Sequence, residues 1–489
     1  MSSLSEIRAE RLKKLQLYEE ARGSAYPTSV PRTHSLLVLR NESSTLQKDD
    51  VTVSIVGRVL ALRGQGALVF AVIDDGTARI QGVFKRDVLG EEEHSLFVNT
   101  VDLGDLLFFS GTCFTTDRGE ESVLVSSWGL AAKSLRPLPD KWHGLKDSEE
   151  RFRRRYLETT MDGSARERFL LRARVLSFFR SRLESAGFVE FETPILQPLP
   201  GGANALPFVT HHNALDRDLY LRIAPELYLK KLLIGGFPKV YEIGRSFRNE
   251  GIDVTHNPEF TTVEWYEAYS DALTQRSFVE ALVRDCAHTI LGGMTLIFGD
   301  HEIDLASSFA VRSYFDLFRD YADLPNARQC QLEELCDSAE RLGVSYSLPT
   351  TREKVLDSIY KRVCRPALIQ PTFVVDYPRS MLPLAKRHSD DEGLVDAFQL
   401  VIGGTELVKA FSELNDPLDQ RARFVEESEH RAHGDKEAQP NDEDFIEALE
   451  YGMPPAGGVG IGIDRLVMLL TNTHNIREVI YFPTLREKE

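Results

Sequence analysis

Cysteine is scarce in this 489-residue chain, which contains five cysteines and three tryptophans. The cysteines include no C-x-x-C pair, and their odd number does not indicate a disulfide framework. Reduced thiols in a cytoplasmic protein are therefore the predicted state.

Long apolar runs are also missing. The apolar stretch Cys286 to Gly299 has no Asp, Glu, Lys or Arg, but it contains a histidine and is too short to cross a bilayer. The N-terminal segment lacks the apolar core of a secretory signal, and its acidic residues argue against a transit peptide. We therefore expect no membrane association and a cytoplasmic location.

Positive charge is in deficit, with a formal net charge of −17. This argues against a general nucleic-acid coat protein but leaves room for a local basic surface on an acidic body. The sequence has no Walker A motif, and the glycines of GGVGIGIDR lack the spacing of a Rossmann fingerprint. What it does have, 42% apolar and 27% charged residues, is typical of a soluble globular protein of two or three domains.

The N-terminal part of the chain is strand-rich. Residues 1–50 begin with an amphipathic helix in which Ser3 and Glu6 form a capping box, followed by a lead-in. Residues 51–133 alternate apolar and polar side chains in about five strands, which predicts a small closed β-barrel of the OB type. Residues 134–160 supply prolines and a basic run and are predicted to be a linker.

The C-terminal part, residues 161–489, mixes strands and helices. KVYEIGRSF, TTVEWYEAYS, TFVVDYP and AFQLVIGG have strand patterns, and a helical insertion is predicted around residues 325–365. The predicted fold class is therefore α+β, with helices packed on an antiparallel sheet.

The stretch RSFRNEGIDVTHNPEFTTVEWY concentrates charged and aromatic side chains. Its two ends can pair as antiparallel strands joined by a long loop, with Arg248 and Glu250 at the mouth of the loop. Glu264 and Tyr266 lie two apart on the second strand and therefore share a face. For any single residue, an exposed hairpin with solvated charges remains an alternative.

Three segments in order carry a resemblance to a known family. The hairpin resembles motif 2 of the class II aminoacyl-tRNA synthetases. GFVEFETPIL resembles motif 1, with Pro194, and GGVGIGIDRLVMLL resembles motif 3, with Asp464 and Arg465 at a helix start. PLPGGANALPF, LYLRIAPELYLKKLLIGGF and FSELNDP are similar to segments of the lysyl-tRNA synthetases, subclass IIb. The resemblance implies an OB-type barrel followed by a class II catalytic domain, and a homodimer.

The resemblance implies an ATP site. Two anions that react with each other need cations beside them, and Arg248 would hold both the α-phosphate and the amino-acid carboxylate. The catalytic residues implied are Arg248, Glu250 and Arg465. The ATP contacts implied are Arg248, Glu250, His256, Phe260, Glu406 and Arg465. Mg²⁺ would be held by Glu406, with Gln399 as the second candidate.

The amino acid implied by the resemblance is L-lysine. Glu413 would face its ε-ammonium, with Tyr266 as a second contact. The lysine contacts implied are Gly202, Glu226, Arg248, Glu264, Tyr266 and Glu413. Aspartate, a substrate of the same subclass, would be repelled by a carboxylate, and such a mismatch discriminates by about 10⁴-fold or more. The predicted reaction joins lysine to tRNA(Lys) through a lysyl-adenylate and releases AMP and pyrophosphate.

The barrel would bind the anticodon. The resemblance implies that Phe70 stacks on a base and Gln81 bonds a base edge, with Arg63 and Glu120 as further contacts. Without the resemblance, Phe70 could equally be a core residue of the barrel.

Four positions depart from the family pattern: Leu206 and Thr255 replace basic residues, Gln399 replaces an acid, and Lys409 replaces an asparagine. We hypothesise that the Lys409 ammonium replaces one auxiliary metal ion near the phosphates. The alternative is that Lys409 points to solvent. At the level of function, the alternatives are a paralogue with a binding role only and a lysyl transferase acting on a protein.

Overall fold

The structure is a computed structural model that describes residues 3–64, 66–139, 147–346, 348, 350–432 and 437–487. The chain divides into two compact units, Met1–Ser164 and Ala165–Glu489. Residues 140–146 of the predicted linker lie outside the described residues. No helix in the described ranges combines the length and the apolarity needed to cross a membrane.

The first unit contains a closed five-stranded barrel in the order β1-β2-β3-β5-β4, as the strand pattern predicts. Its strands are β1 (Thr52–Arg63), β2 (Leu68–Asp74), β3 (Arg79–Lys85), β4 (Leu106–Thr115) and β5 (Glu121–Ala132). Its helices are α1 (Leu4–Arg22), α2 (Leu36–Lys48), α3 (Arg86–Leu89), α4 (Glu91–Thr100), α5 (Ser148–Arg153) and α6 (Arg155–Met161). Helices α3 and α4 interrupt the barrel between β3 and β4, where the sequence analysis anticipated no helix.

Helix α1 begins as its capping box predicts. The Ser3 hydroxyl accepts a hydrogen bond from the Glu6 amide at 3.3 Å, and the Ser3 amide donates to the Glu6 carboxylate at 2.6 Å. The reciprocal bonds satisfy amide groups that a helix start otherwise leaves without partners. The helix ends at Gly23, whose φ of 82° favours glycine.

The second unit is built around an eight-stranded sheet in the order β14-β15-β16-β17-β18-β11-β10-β6. Its strands, and those of two small sheets, are β6 (Val189–Glu190), β7 (Leu196–Gln197), β8 (Val209–His212), β9 (Arg217–Leu221), β10 (Lys239–Phe247), β11 (Glu259–Ala268), β12 (Thr295–Phe298), β13 (His301–Asp304), β14 (Ala310–Ser313), β15 (Thr372–Pro378), β16 (Leu394–Ile402), β17 (Thr405–Ser412) and β18 (Ala456–Gly462). The central strands β15 to β18, β11 and β10 pair antiparallel, whereas β14 and β6 join by parallel pairing. The mixture of antiparallel sheet and helices confirms the α+β class.

The α-helices that follow α6 are α7 (Gly163–Ser185), α8 (Glu226–Ile234), α9 (Ala272–Leu291), α10 (Tyr314–Tyr321), α11 (Leu332–Arg341), α12 (Arg352–Ile359), α13 (Pro417–Ala432), α14 (Glu443–Glu450) and α15 (Ile463–Leu470). Helix α12 continues into a π-helical turn, Tyr360–Cys364. Four 3₁₀ or π segments are assigned in the described ranges.

The two faces of β11 serve different purposes. Val263 and Trp265 are fully buried in the main core with α9, and the Trp265 indole donates to the Gln275 side chain at 2.8 Å. Because side chains alternate along a strand, Glu264 and Tyr266 lie on the opposite face. A buried carboxylate on that face is the first sign of a binding site.

A bulge in β17 changes which residues face that site. In the pairing with β16, Leu400 lies opposite Val408 but Val401 lies opposite Glu406, so Leu407 is an extra residue. A bulge breaks the two-residue alternation. As a result, Glu406 and Lys409 share a face although they are three residues apart.

Candidate active site

A row of residues runs across four strands on the site face of the sheet. Gln399 pairs with Lys409, Lys409 with Gly460, and Gly460 with Glu264. Strands that are far apart in the sequence thus bring these groups into one line. Neighbouring strands lie about 4.8 Å apart. Lys409 and Glu264 therefore lie on either side of Gly460, one strand away from it in each direction.

Arg248 lies at one end of the site, directly after β10. Its guanidinium carbon is 5.0 Å from the centre of the Phe260 ring, a cation–π distance. The Arg248 amide donates to the carbonyl of Pro258 at 2.8 Å, which fixes the strand end. Burial lowers the pKa of Arg248 from its ordinary value, although Glu250 and Glu264 oppose this. A half-buried guanidinium with an aromatic face beside it is suited to binding an anionic group.

Arg465, in the first turn of α15, reaches the same region. One of its terminal nitrogens donates to the Glu406 carbonyl at 3.1 Å, and the other lies 3.3 Å from His256 Nε2. The other ring nitrogen of His256 is 2.9 Å from the Asp253 carboxylate. The loop after β10 and the start of α15 are therefore joined by a polar network.

Asp464, unlike its neighbour Arg465, forms hydrogen bonds that hold helix α15 in place. It is buried, accepts a hydrogen bond from Arg172 at 2.6 Å, and accepts another from the Thr261 amide at 2.8 Å. These bonds attach the start of α15 to β11 and thereby fix where Arg465 points.

Glu406 lies among several cations. Burial works to raise its pKa, but Arg465, Lys409, Arg365 and Lys361 together hold the pKa of Glu406 below its ordinary value. Arg365 forms an ion pair with Glu406, with 3.9 Å between the guanidinium nitrogen and the carboxylate oxygen. Glu406 therefore stays ionised.

The side chain of Lys409 is exposed. Desolvation lowers the pKa of its ammonium, and Glu406 opposes this. Gln399, which pairs with Lys409 and stands where the family has an acid, is buried. Its Oε1 lies 2.8 Å from the Tyr377 hydroxyl and 3.2 Å from the Tyr360 hydroxyl. Both hydroxyls can donate to this oxygen.

A pocket of buried carboxylates lies further along the sheet, formed by Glu226, Glu264 and Glu413. Burial, together with the charge of Glu226, raises the pKa of Glu264 to about 8. Burial also raises the pKa of Glu413, although Lys230 beside it opposes this. The Tyr266 hydroxyl donates to Glu264 at 3.2 Å. An excess of buried carboxylates is costly without a cation, so the pocket is suited to a cationic ligand.

Glycines shape the pocket. A Cβ on Gly458 would lie 1.9 Å from the Glu413 carboxylate and 2.5 Å from the Tyr266 ring. Gly202 has a φ of +86°, and its amide donates to the Gln439 side chain at 3.3 Å. A side chain at either position would displace the pocket wall.

The sequence analysis missed Lys230. Its side chain is fully buried, donates to Glu226 at 2.5 Å, and forms an ion pair with Glu413. The signal in the sequence was the spacing of Glu226 and Lys230 by four residues on α8, a helix in which leucine predominates.

In the barrel, three of the four expected anticodon contacts share one outer surface. Arg63 lies opposite Phe70 on the neighbouring strand, and Gln81 lies diagonal to Phe70 on β3. Val69 and Ala71 on either side of Phe70 are buried, so Phe70 itself points outward rather than into the core. The Gln81 amide donates to Ser122 at 2.9 Å.

Two expected residues are exposed and, within the described ranges, make no hydrogen bond to the other expected site residues. Glu250 is exposed in the loop after β10. Glu120 is exposed in the turn before β5, where its amide donates to Thr116 at 3.0 Å. Neither has a contact with another expected site residue among the hydrogen bonds of the described chain.

Comparison with known proteins agrees with this geometry. Residues 147–486 match the family described as tRNA synthetases class II (D, K and N). Residues 53–131 match the family described as OB-fold nucleic acid binding domain.

Relatives that match most of the chain identify its family within the class II tRNA synthetases. The chain is similar to "Lysine--tRNA ligase" of Aquifex aeolicus, with 47% identity over 89% of this chain and 73% of that protein. Proteins of the same name from Pelotomaculum thermopropionicum and Moorella thermoacetica are each 45% identical. They cover 99% of this chain, and 96% and 99% of their own lengths, respectively. The chain belongs to the class II tRNA synthetases, and within them to the lysine–tRNA ligase family.

Proposed function

We propose that the protein ligates L-lysine to tRNA(Lys) through a lysyl-adenylate, with release of AMP and pyrophosphate. The observation that carries this proposal is the division of the site into two parts on one sheet face. Arginines and an aromatic ring lie at one end, and three buried carboxylates lie at the other. The first part suits ATP, and the second suits a dication such as lysine.

In the proposed activation step, the lysine carboxylate attacks the α-phosphate of ATP. Both groups are anionic, so a fixed cation between them lowers the barrier by stabilising charge as it develops. We assign this role to Arg248, because it is half-buried and its buried Nε makes no hydrogen bond to the described residues. Arg465 and His256 would contact the outer phosphates, and Phe260 with Arg465 would enclose the adenine, whose amino group Glu250 would read.

The residues present fit a magnesium ion that enters with the nucleotide. Mg²⁺ prefers oxygen ligands and is commonly held by one or two carboxylates together with phosphates. Glu406 is an ionised carboxylate in the right part of the site. The described residues include no cluster of three or more potential ligands, and Gln399 Oε1 lies within hydrogen-bonding distance of two tyrosines. We therefore assign the ion to Glu406; when bound, it would neutralise phosphate charge.

Lys409 supports the hypothesis that a protein cation replaces an auxiliary metal ion. The bulge in β17 places Lys409 on the same face as Glu406, and its charge is one of those that keep Glu406 ionised. Lysine binds phosphate as a point charge. The charge of Lys409 would thus supplement the ion held at Glu406.

The carboxylate pocket would bind lysine itself. Glu413 and Tyr266 would receive the ε-ammonium, and Glu226, Glu264 and the backbone of Gly202 would surround the α-amino group. One carboxylate oxygen of Glu413 contacts the Lys230 ammonium. The other, Oε1, accepts no hydrogen bond from the described residues and could accept one from a bound ammonium.

The outer surface of the barrel would bind the anticodon of tRNA(Lys). Single-stranded bases are bound by an outward-facing aromatic ring beside a guanidinium and an amide, because stacking and base-edge hydrogen bonds act together. Phe70, Arg63 and Gln81 supply these three groups. Glu120 is a more distant candidate.

We also propose a cytoplasmic homodimer. The segment that resembles motif 1 exposes apolar side chains, with Val189 at 50% and Ile195 and Leu196 at 47% each. Grouped exposed apolar residues of this kind mark interfaces. The short strand β6 in this segment lies at the edge of the sheet.

The decisive experiment is pyrophosphate–ATP exchange with each amino acid in turn, followed by charging of tRNA. We expect exchange with lysine alone and transfer of lysine to tRNA(Lys). Exchange without transfer to tRNA would favour lysyl transfer to a protein, and absence of exchange would favour a binding role only. Dependence on another amino acid would refute the pocket assignment.

A further inference from the structure

The carboxylate pocket already contains a cation of the protein. Lys230 lies on α8 with its side chain fully buried, and its ammonium contacts both Glu226 and Glu413. It also lies 5.4 Å from the centre of the Phe411 ring and 6.0 Å from that of Tyr266. Lys230 therefore occupies the junction between the groups assigned to the two ends of the substrate.

The other cations near the pocket have partners of their own. Arg222 forms an ion pair with Glu242, and the main electrostatic partner of Lys409 is Glu406. Arg248 is assigned to the substrate carboxylate. This leaves three carboxylates, Glu226, Glu264 and Glu413, with Lys230 as the cation in contact with two of them, Glu226 and Glu413.

These charges match one substrate. When all three carboxylates are ionised, as a bound dication favours, they and the one ammonium leave two negative charges, and lysine brings two ammonium groups. Burial acts against the charge of Lys230, but Glu226 and Glu413 outweigh it and raise its pKa, so Lys230 stays protonated. Without Lys230, bound lysine would leave one buried carboxylate uncompensated, which is costly.

We propose that Lys230 is a positioning residue for lysine selection, which holds Glu226 and Glu413 in place and sets the pocket charge to that of a dication. This inference rests on the proposed assignment of the three carboxylates to lysine binding. Lys230 would contact the carboxylates and not the reacting atoms, so its effect should appear in lysine binding and not in ATP binding.

The test compares three variants by direct calorimetric lysine binding and by the KM values for lysine and ATP in exchange. Lys230→Met keeps the length of the side chain and leaves three negative charges, whereas Glu226→Gln leaves one. The double variant Lys230→Met/Glu226→Gln restores the two negative charges of the wild-type pocket. We expect each single variant to bind lysine at least about tenfold more weakly than wild type, with the ATP KM unchanged. The double variant should bind lysine more tightly than either single variant.

Three results would overturn the inference. Unchanged lysine binding in Lys230→Met would make Lys230 a space-filling residue, and tighter binding would make it a competitor of the substrate. If the double variant bound lysine no more tightly than the two single variants, charge matching would not be the role of Lys230. If Lys230→Met does not fold, the comparison of the double variant with Glu226→Gln alone decides, because that pair differs only at position 230.

A fourth variant separates this inference from the proposed function. If Glu413→Gln leaves lysine binding intact, the assignment of the pocket itself fails, and the inference fails with it. If Glu413→Gln abolishes binding while Lys230→Met has no effect, the pocket assignment stands and the role of Lys230 alone is refuted. Thermal unfolding of each variant, with and without lysine, checks that the comparisons concern folded protein.

Discussion

Replacing Glu413 by glutamine removes one negative charge from the carboxylate pocket with little change in side-chain size. Glu413 is 1% exposed and forms an ion pair with Lys230. The substitution leaves Lys230 its bond to Glu226, so the protein should fold. A bound ε-ammonium, however, would lose its buried counter-charge.

The expected cost follows from that burial. Removing one partner of a buried ion pair costs about 3–5 kcal/mol. At about 1.4 kcal/mol per factor of ten, kcat/KM for lysine should fall about 10²- to 10⁴-fold. The KM for ATP should barely change, because the nucleotide contacts lie at the other end of the site.

Lysine-dependent pyrophosphate exchange measures both parameters, and the matched control is Glu447→Gln, the same substitution at an exposed position of α14. The control should match wild type in both parameters. A Glu413→Gln enzyme within about threefold of wild type in kcat/KM would remove Glu413 from the lysine pocket. An equal loss for ATP and lysine would instead indicate general damage to the site.

Three further predictions address the other parts of the molecule. Arg248→Ala should lower kcat of adenylate formation at least about 10²-fold, as expected when a preorganised donor to a developing charge is lost; normal kinetics in the folded variant would refute this assignment. Phe70→Ala should weaken charging of tRNA by about 5- to 150-fold, since stacking contributes ~1–3 kcal/mol per base, while exchange stays intact; a parallel loss of both would make Phe70 structural. Gln399→Glu/Lys409→Asn should need more magnesium and show a steeper dependence in exchange titrations; superimposable curves would end the metal-replacement hypothesis.

Local patterns predicted much of the fold. KVYEIGRSF and TFVVDYP coincide with β10 and β15 as the structure has them, because both have strand composition and clear boundaries. The capping box predicted the start of α1 for the same reason, since all its atoms lie within four residues. Information of this kind is local and can be read from one stretch of sequence.

Other features depend on partners distant in the sequence. The extra residue in β17 is visible only in its pairing with β16, so the shared face of Glu406 and Lys409 could not be read from their spacing. The pattern of the helical insertion around residues 325–365 does not reveal that α12 changes to a π-helical turn at Tyr360, whose hydroxyl lies within hydrogen-bonding distance of Gln399. Tertiary contacts decide such irregularities.

In the candidate site, too, some residues could be predicted from the sequence and others depend on tertiary contacts. The resemblance identified most of the residues that gather on one face of the sheet, including groups as far apart as Glu226 and Glu413. It did not identify Lys230, because a lysine on a helix is ordinarily a solvated residue. Only the burial of α8 against β11 makes that lysine a member of the pocket.

Gly460 offers a test of where the substrate lies. It sits between Lys409 and Glu264 in the row across the sheet. A Cβ at this position would be 3.6 Å from the Glu264 side chain and 3.8 Å from the Lys409 carbonyl, which are ordinary packing distances. The packing of the protein therefore does not require glycine here, whereas at Gly458 a Cβ would collide with Glu413 and Tyr266.

If the reacting lysine carboxylate and α-phosphate lie over Gly460, a methyl group there would occupy their space. We expect Gly460→Ala to keep the unfolding temperature of the wild type and to lose adenylate formation at least about 10²-fold, since misplacement by about 1 Å can have that effect. Gly458→Ala, the matched control, should lower both the unfolding temperature and lysine binding because it displaces the pocket wall. A fully active Gly460→Ala enzyme would show that the substrates do not cross the sheet at this glycine, and the division of the site into an ATP end and a lysine end would have to be redrawn.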